Sequence, residues 1–361
     1  MKNSVSFSIP FLFDHKAFQQ ALISWYKHNK RELPWRKSQN PYHIWVSEIM
    51  LQQTKVDTVI PYFNQFITSY PTVYDLANAN EQEVLKHWEG LGYYSRARNL
   101  HTAVKEVVES YDGKVPEEVA EIKRLKGVGP YTEGAILSIA YNQPEPAVDG
   151  NVMRVMSRVL QIDEDIAKAK TRKIFEDAIR EIISHEDPSS FNQGLMELGA
   201  TICHPKKPDC DKCPVQPHCL AYELGIQEEL PIKSKAKKQT LEQYVALVIR
   251  NSDGSYFIQK RPDQGLLANL YQFPMIDKDT FDGKNSNDVL SDKVSSKMRI
   301  HGFKEPVRHI FSHKIWEVDV LIIDSDEVNK KFLEGDFVSV DAMKHLPFPI
   351  VQQKILKQLR I

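Results

Sequence analysis

The sequence predicts a multidomain chain: an all-α first half that ends in a cysteine-rich loop, followed by an α+β second half. Three observations carry this. Apolar residues as far as about Leu160 recur at helical spacing and are interrupted by glycine corners. From Gln243 the pattern becomes strand-like, with Tyr244–Ile249 and Tyr256–Lys260 flanking the turn residues Asn251 to Gly254. All four cysteines fall between Cys203 and Cys219. The length of 361 residues agrees with two domains.

Composition narrows the class. A charged fraction of 26% and a hydrophobic fraction of 42% are those of a globular protein. The net charge of −1 gives no global field for a polyanion, so any such partner must meet local basic surface. Lys206–Lys207 and the run Lys233, Lys235, Lys237 and Lys238 are candidates, and equally plain solvated lysines. No stretch approaches the ~20 apolar residues of a membrane span. Phe7–Phe13 is short, holds Pro10 and runs into Asp14, which does not read as a signal peptide. A cytoplasmic location with reduced thiols is expected.

In chain order, Phe18, Leu22 and Trp25 mark one face of a first helix. A polar and aromatic loop, Arg31 to Arg36, follows. Pro41 opens a second helix through Trp45, Val46, Ile49 and Met50, with Glu48 inside it. A carboxylate among such neighbours is either desolvated, which favours the protonated form a general acid needs, or turned to solvent or to an arginine. Gln52, Gln53 and Thr54 end the segment and can read base edges or simply cap it. Glu89 to Arg98 forms a second glycine corner with Tyr93, Tyr94 and two arginines. Its tyrosines either stack against bases or pack into a core.

The stretch Leu125 to Asn151 organises the first half. Gly127 and Gly129 flank Val128 between two helical patterns, which permits a tight turn and a close approach to another surface. The turn opens a helix, so its N–H groups and dipole suit a phosphate. A P-loop is excluded because Pro130 and Tyr131 follow Gly129, and a dinucleotide fingerprint because Thr132 stands where a third glycine is needed. An ordinary helix–turn–helix corner remains open on these residues alone. Ala135, Ile136, Leu137, Ile139 and Ala140 then give a buried helix, stopped by Pro144 and Pro146. Asp149 caps the next helix, and a helix N-terminus favours its ionised form. It can serve as a cap alone, or as an anion that steadies a developing positive charge.

The cysteines are spaced Cys-x6-Cys-x2-Cys-x5-Cys, at Cys203, Cys210, Cys213 and Cys219. Reduced thiols clustered in a proline-rich loop make a metal site. Structural zinc is the generic assignment, but only one short knuckle is present. The wider outer loops fit a larger body, a [4Fe–4S] cluster with every thiolate used as a ligand. Residues 229–240 change to scattered lysines with few apolar residues and read as a linker. Val318–Ile323 reads as a further strand, Lys278–Ser296 as a polar loop or mobile insert and Val351–Leu359 as a closing helix.

Taken together, Trp45 to Thr54, Gly90 to Ser95, Leu125 to Thr132, Val148 to Val152 and the four cysteines resemble the helix-hairpin-helix DNA glycosylases of the endonuclease III type, and within them the MutY-type adenine glycosylases. The resemblance covers nearly the whole chain. It implies a helical glycosylase domain over 1–228 with its cluster loop at 203–219, a linker at 229–240 and a Nudix-like lesion-recognition domain over 241–361. The Nudix box itself is missing, so hydrolysis of a nucleoside triphosphate is not expected. Where bifunctional relatives carry an attacking lysine, this chain has Tyr131, and a phenol cannot form a Schiff base.

The resemblance therefore implies a monofunctional enzyme that removes adenine mispaired with 8-oxoguanine or guanine in double-stranded DNA, as a monomer. Glu48 would protonate the base, Asp149 would steady the oxocarbenium-like sugar, and Tyr131 and Asn151 would orient them. Gln53 and Tyr93 match residues that wedge into the duplex. Arg31, Leu33 and Gln193 match the adenine pocket. Phe311, Ser312 and His313 match the loop that meets 8-oxoguanine. Trp35, Thr54, Leu91, Gly127, Val128 and Gly129 complete the expected DNA-contacting set. A glycosylase-lyase, a non-catalytic redox-sensing DNA binder and a Nudix hydrolase are the rivals.

Overall fold

A computed structural model describes residues 9–10, 13–235, 238–282 and 285–361. Most of the Phe7–Phe13 stretch, and Lys237 of the lysine run, lie outside the described residues. Two compact units divide the chain: residues 1–77 with 102–235, and residues 78–101 with 236–361. Within the second unit the segment 78–101 packs with the C-terminal half.

The helices before the lysine-rich stretch are α1 (His15–Asn29), α2 (Pro41–Leu51), α3 (Val56–Ser69), α4 (Val73–Asn78), α5 (Glu81–His87) and α6 (Ser95–Tyr111), then α7 (Val119–Ile122), α8 (Pro130–Tyr141), α9 (Gly150–Val159), α10 (Thr171–Ile182), α11 (Pro188–Thr201) and α12 (Leu220–Glu223). The side chain of Asp14 caps α1 through the Ala17 N–H. The buried stripe of α1 is Phe18, Leu22 and Tyr26, so the third position is Tyr26 and not Trp25, which is only partly covered. Phe18 and Leu22 pack with Val152 and Met156 of α9, Phe175 and Ile179 of α10, and Leu195 and Leu198 of α11 in one core.

Two glycines set how closely the site-bearing segments approach. A Cβ on Gly134 of α8 would lie 2.0 Å from the Pro146 carbonyl oxygen, and one on Gly199 of α11 would lie 2.7 Å from Asn151 Cβ. Only glycine permits both contacts. Fully buried Asn192 then ties the pieces together. Its amide donates to Ser138 Oγ at 2.9 Å and to Glu145 O at 2.8 Å, and its oxygen accepts the Ala147 N–H at 3.3 Å. The connecting segment 145–148 that delivers Asp149 is thereby fixed to both α8 and α11.

The second unit is built on a sheet of β1 (Thr240–Arg250), β2 (Tyr256–Lys260), β3 (Tyr271–Gln272), β4 (Met275–Asp277), β5 (Arg299–Ile310), β6 (Lys314–Asp324) and β7 (Asp336–Val338). The spatial order is β3-β2-β1-β6-β5, with β4 on β1 and β7 on β2. Strands β1 and β6 run parallel from Thr240 opposite Lys314 to Arg250 opposite Asp324. Val245 to Ile249 are all buried, because both faces of the sheet are covered. Ala246 and Val248 face a core closed by α14 (Ile350–Leu359), while Val245, Leu247 and Ile249 face one closed by α13 (Ser286–Lys293).

One expectation changes here. Lys278–Ser296 is not simply a loop, since it contains α13. The Asn285 side chain caps that helix through the Asn287 N–H, and the pair Leu290 and Val294 buries one turn of it, at a spacing too short to stand out among polar residues. The 229–240 stretch is tied down at its start. Leu230 is buried, Ile232 O accepts the Ile166 N–H at 3.0 Å, and Asp165 Oδ1 accepts the Ser234 N–H at 3.1 Å.

Candidate active site

Glu48 lies in the second half of α2 and is 5% exposed. Tyr131 is the second residue of α8, whose start is set by Gly129 at the N-cap and Pro130 in the first turn. That placement aims the Tyr131 hydroxyl at Glu48, and it donates to Oε2. Burial pushes the Glu48 carboxyl up to about 7, the charge of Asp149 adds to this, and the Tyr131 hydrogen bond and Arg36 oppose it. Burial, and then the charges of Glu48 and Asp149, hold the Tyr131 phenol well above its ordinary range, so it stays a donor.

Asp149 is the N-cap of α9. Its Oδ1 accepts the Val152 N–H at 2.7 Å and its Oδ2 accepts Asn151 Nδ2 at 2.9 Å. These donors pull its carboxyl toward ionisation, as expected of a helix N-terminus. Burial is nonetheless the largest influence, and the net displacement is upward. The donors from Val152 and Asn151 favour the ionised form of Asp149, while Glu48 accepts from Tyr131. Asn151 is oriented in turn by Arg154, whose Nη2 donates to Asn151 Oδ1 at 2.9 Å and to Gly199 O at 2.8 Å, while its Nε donates to Cys203 O at 2.9 Å.

Both carboxyls line one cleft of about 570 Å³. Arg31, Leu33, Trp35, Gln53, Thr54 and Gln193 line it too, as do Gly127 and Gly129 of the hairpin. Val128 is 9% exposed and pins the turn, while Gly127 takes a φ of 81° that favours glycine. A Cβ on Gly129 would meet nothing within 4 Å, which leaves that side open to a backbone. Gln53 is exposed, at a φ of 59° that few side chains adopt without a reason.

The sequence reading missed Glu197. Its carboxylate is 1% exposed, accepts Arg31 Nε at 2.7 Å and Arg36 Nη2 at 2.8 Å, and so holds two guanidinium groups at the cleft wall. Gln193 stands one turn before it on α11, with its oxygen accepting the Tyr26 hydroxyl at 2.8 Å and its amide donating to Ser189 Oγ at 3.1 Å. The available signal was a carboxylate at i, i+4 from Gln193 inside an apolar helix. Met196 and Arg172 were also missed; Arg172 Nη1 donates to Val148 O at 2.8 Å, beside Asp149.

Cys203, Cys210, Cys213 and Cys219 ring a separate pocket with Val155, Leu198 and Val215. Among the described residues no three His, Cys, Asp or Glu side chains are grouped as for a single metal ion. Buried Arg158 donates to Cys203 Sγ at 3.1 Å and to the backbone oxygens of His204, Pro205 and Leu230. Chiefly through burial, the bare thiols of Cys213 and Cys219 are pushed up to about 12 and about 11. Lys206 and Lys207 are exposed in the first cysteine loop.

In the second unit the paired tyrosines split between the two readings. Tyr93 is 48% exposed at a φ of 47°, whereas Tyr94 is 3% exposed. Leu91 is buried, so the reach of this corner falls to Tyr93. Arg96 braces it, with its guanidinium 5.4 Å from the Tyr93 ring and Nη2 donating to Gly92 O at 3.1 Å. Phe311, Ser312 and His313 form the tip between β5 and β6. Phe311 is rooted on Trp316 at 4.9 Å between rings, and Ser312 and His313 are exposed.

Residues 46–181 match the HhH-GPD superfamily of base excision DNA repair proteins, and residues 245–358 match the NUDIX domain. An adenine DNA glycosylase of Buchnera aphidicola is 32% identical over 350 residues, which cover 95% of this chain and 97% of that protein. One from Arabidopsis thaliana is 38% identical over 297 residues, 72% of this chain; the match spans about half, 47%, of that longer relative. Among solved structures, a thermostable thymine-DNA glycosylase is similar with a TM-score of 0.52 at 28% identity, covering 58% of this chain and 97% of that one. Among the described residues no helix is long and apolar enough to cross a membrane.

Proposed function

The chain belongs to the adenine DNA glycosylase family, a branch of the HhH-GPD base excision repair superfamily, and on that premise we propose that it hydrolyses the base–sugar bond of adenine mispaired with 8-oxoguanine or guanine. The observation that carries this reading is one cleft lined by Asp149 and by Glu48, whose carboxyl burial pushes up to about 7. The target must leave the stack, at a cost of a few kcal/mol, to reach them. Glu48 gives its proton to an adenine ring nitrogen. The base then departs with the bonding electron pair, and the sugar becomes oxocarbenium-like. Asp149, oriented by Asn151 and the Val152 N–H, steadies that cation until water adds to the sugar and loses its proton. Tyr131 holds Glu48 by its hydroxyl. It offers no amine for attack on the sugar, so the strand is left intact.

The remaining assignments are ours. Glu197 holds Arg31 and Arg36 at the wall of the adenine pocket, with Leu33, Trp35 and Gln193. The glycine hairpin at Gly127–Gly129 takes phosphate, with Thr54 beside it. Gln53 and Tyr93 enter the duplex, each from a strained, exposed position. Ser312 and His313 meet the base opposite adenine. The glycosylase part is 1–228, the linker 229–240 and the recognition part 241–361; the enzyme acts as a monomer in the cytoplasm.

Cys203, Cys210, Cys213 and Cys219 hold a [4Fe–4S] cluster. The fit lies in four half-buried thiols around one pocket, with Cys213 and Cys219 pushed up by burial so that a cationic partner would be needed to ionise them, and in the Arg158 guanidinium aimed at one sulfur. When bound, that group braces the 203–219 loop and offers one-electron chemistry; no step of the hydrolysis runs through it. The deciding experiment incubates the protein with duplexes holding adenine opposite 8-oxoguanine, then treats them with alkali. Cleavage at the adenine is expected, and none would end the proposal.

A further inference from the structure

The corner that carries Tyr93 is anchored to the core of the C-terminal domain. Glu89 Oε1 accepts the Phe348 N–H at 2.8 Å, and Oε2 accepts Lys86 Nζ at 2.8 Å. Lys86 Nζ also donates to Leu346 O at 3.1 Å. The hydroxyl of buried Tyr94 donates to Phe348 O and accepts the Gly90 N–H, both at 3.3 Å. A second tether joins Asn269 Nδ2 to Glu81 Oε1 at 2.9 Å and Arg98 to Ala268 O.

Phe348 is itself rooted. It is 1% exposed and shares a core with Trp316, Val318 and Val351. Phe311, the first residue of the 311–313 tip, packs on the same core through Trp316. A continuous packed path therefore runs from Glu89 through Phe348 and Trp316 to Phe311. Exposed loops need no such root. A carboxylate suits the anchor because its two oxygens take a backbone N–H and an ammonium together, in charge-assisted hydrogen bonds.

Resting on the reading above, in which Tyr93 enters the duplex and the 311–313 tip meets the opposite base, we propose that Glu89 is a specificity-determining positioning residue. It makes the Tyr93 corner and the 311–313 tip parts of one body. Engagement of the opposite base at one end is thereby coupled to opening of the duplex at the other, as an energy shared between two sites.

The test compares wild type, Glu89→Ala, Glu89→Gln and Asn269→Ala. Single-turnover adenine release is measured on duplexes with 8-oxoguanine or guanine opposite the adenine. In Glu89→Ala the preference for the 8-oxoguanine duplex should fall at least about fivefold, with little change on the guanine duplex. Glu89→Gln keeps an acceptor for the Phe348 N–H and should restore most of that preference. Asn269→Ala, which weakens the second tether, should lower it by a smaller factor and keeps the idea testable should Glu89→Ala fold poorly. An unchanged ratio in Glu89→Ala and Asn269→Ala, or an equal fall on both duplexes, overturns the coupling. Amide exchange over Gly90–Tyr94 in free protein reads the anchor without catalysis: faster exchange in Glu89→Ala supports it and unchanged exchange refutes it. A wild type that releases no adenine from either duplex contradicts the glycosylase reading instead.

Discussion

The Tyr131 hydroxyl donates to Glu48 Oε2 within a cleft that also holds Asp149. The phenol is hydrogen-bonded to a carboxyl that burial has already pushed up to about 7. This relationship determines how the site should respond to pH and to substitution.

Glu48→Gln keeps the shape and an acceptor for Tyr131 but removes the proton. Adenine release should drop at least about a hundredfold, the usual scale for a general acid, while duplex affinity changes little. Gel-shift and single-turnover assays on one preparation decide it; turnover near wild type would remove Glu48 from the acid role.

The pH dependence follows from the direction of each shift. Glu48 must be protonated to act, so the rate should fall as pH rises through about 7. Asp149 must be ionised, and burial raises its carboxyl, so an acidic limb should appear above the ordinary aspartate range. Tyr131→Phe removes an influence that lowers Glu48, which should move the alkaline limb to higher pH. A limb that stays in place would separate Tyr131 from the acid.

Stability carries the same sign. Folded Glu48 holds its proton up to about 7 and the unfolded residue only to about 4.5, so between them the folded state binds more protons and stability falls as pH rises. Glu48→Gln should therefore be more stable than wild type at pH ~8, by up to about 3 kcal/mol, with the gap closing toward pH ~4.5. Denaturant midpoints at the two pH values measure it.

Glu197→Ala leaves Arg31 and Arg36 without their shared carboxylate at a site 1% exposed. A loss of at least about 2 kcal/mol is expected, together with weakened adenine release. Thermal melts and KM would show both.

The cysteine pocket predicts a yellow-brown protein whose visible absorption disappears on oxidation, and Cys213→Ser should lose it outright. A colourless preparation that contains zinc would favour the single-ion assignment.

Much of this molecule is written locally. The Asp14 and Asp149 caps, the Gly127 turn, the cysteine spacing, the Asn251–Gly254 turn and the strand character of β1 follow from side-chain chemistry over a few positions. Tertiary structure alone decided the rest. It covered Glu48 and raised its carboxyl, placed Asp149 in the same cleft from a distant part of the chain, and set Glu197 between two arginines. It also exposed Tyr93 while burying Tyr94, and joined their corner to the Phe348 core. The reason is physical: spacing along a helix fixes which residues share a face, but desolvation and charge depend on what other segments lay against that face.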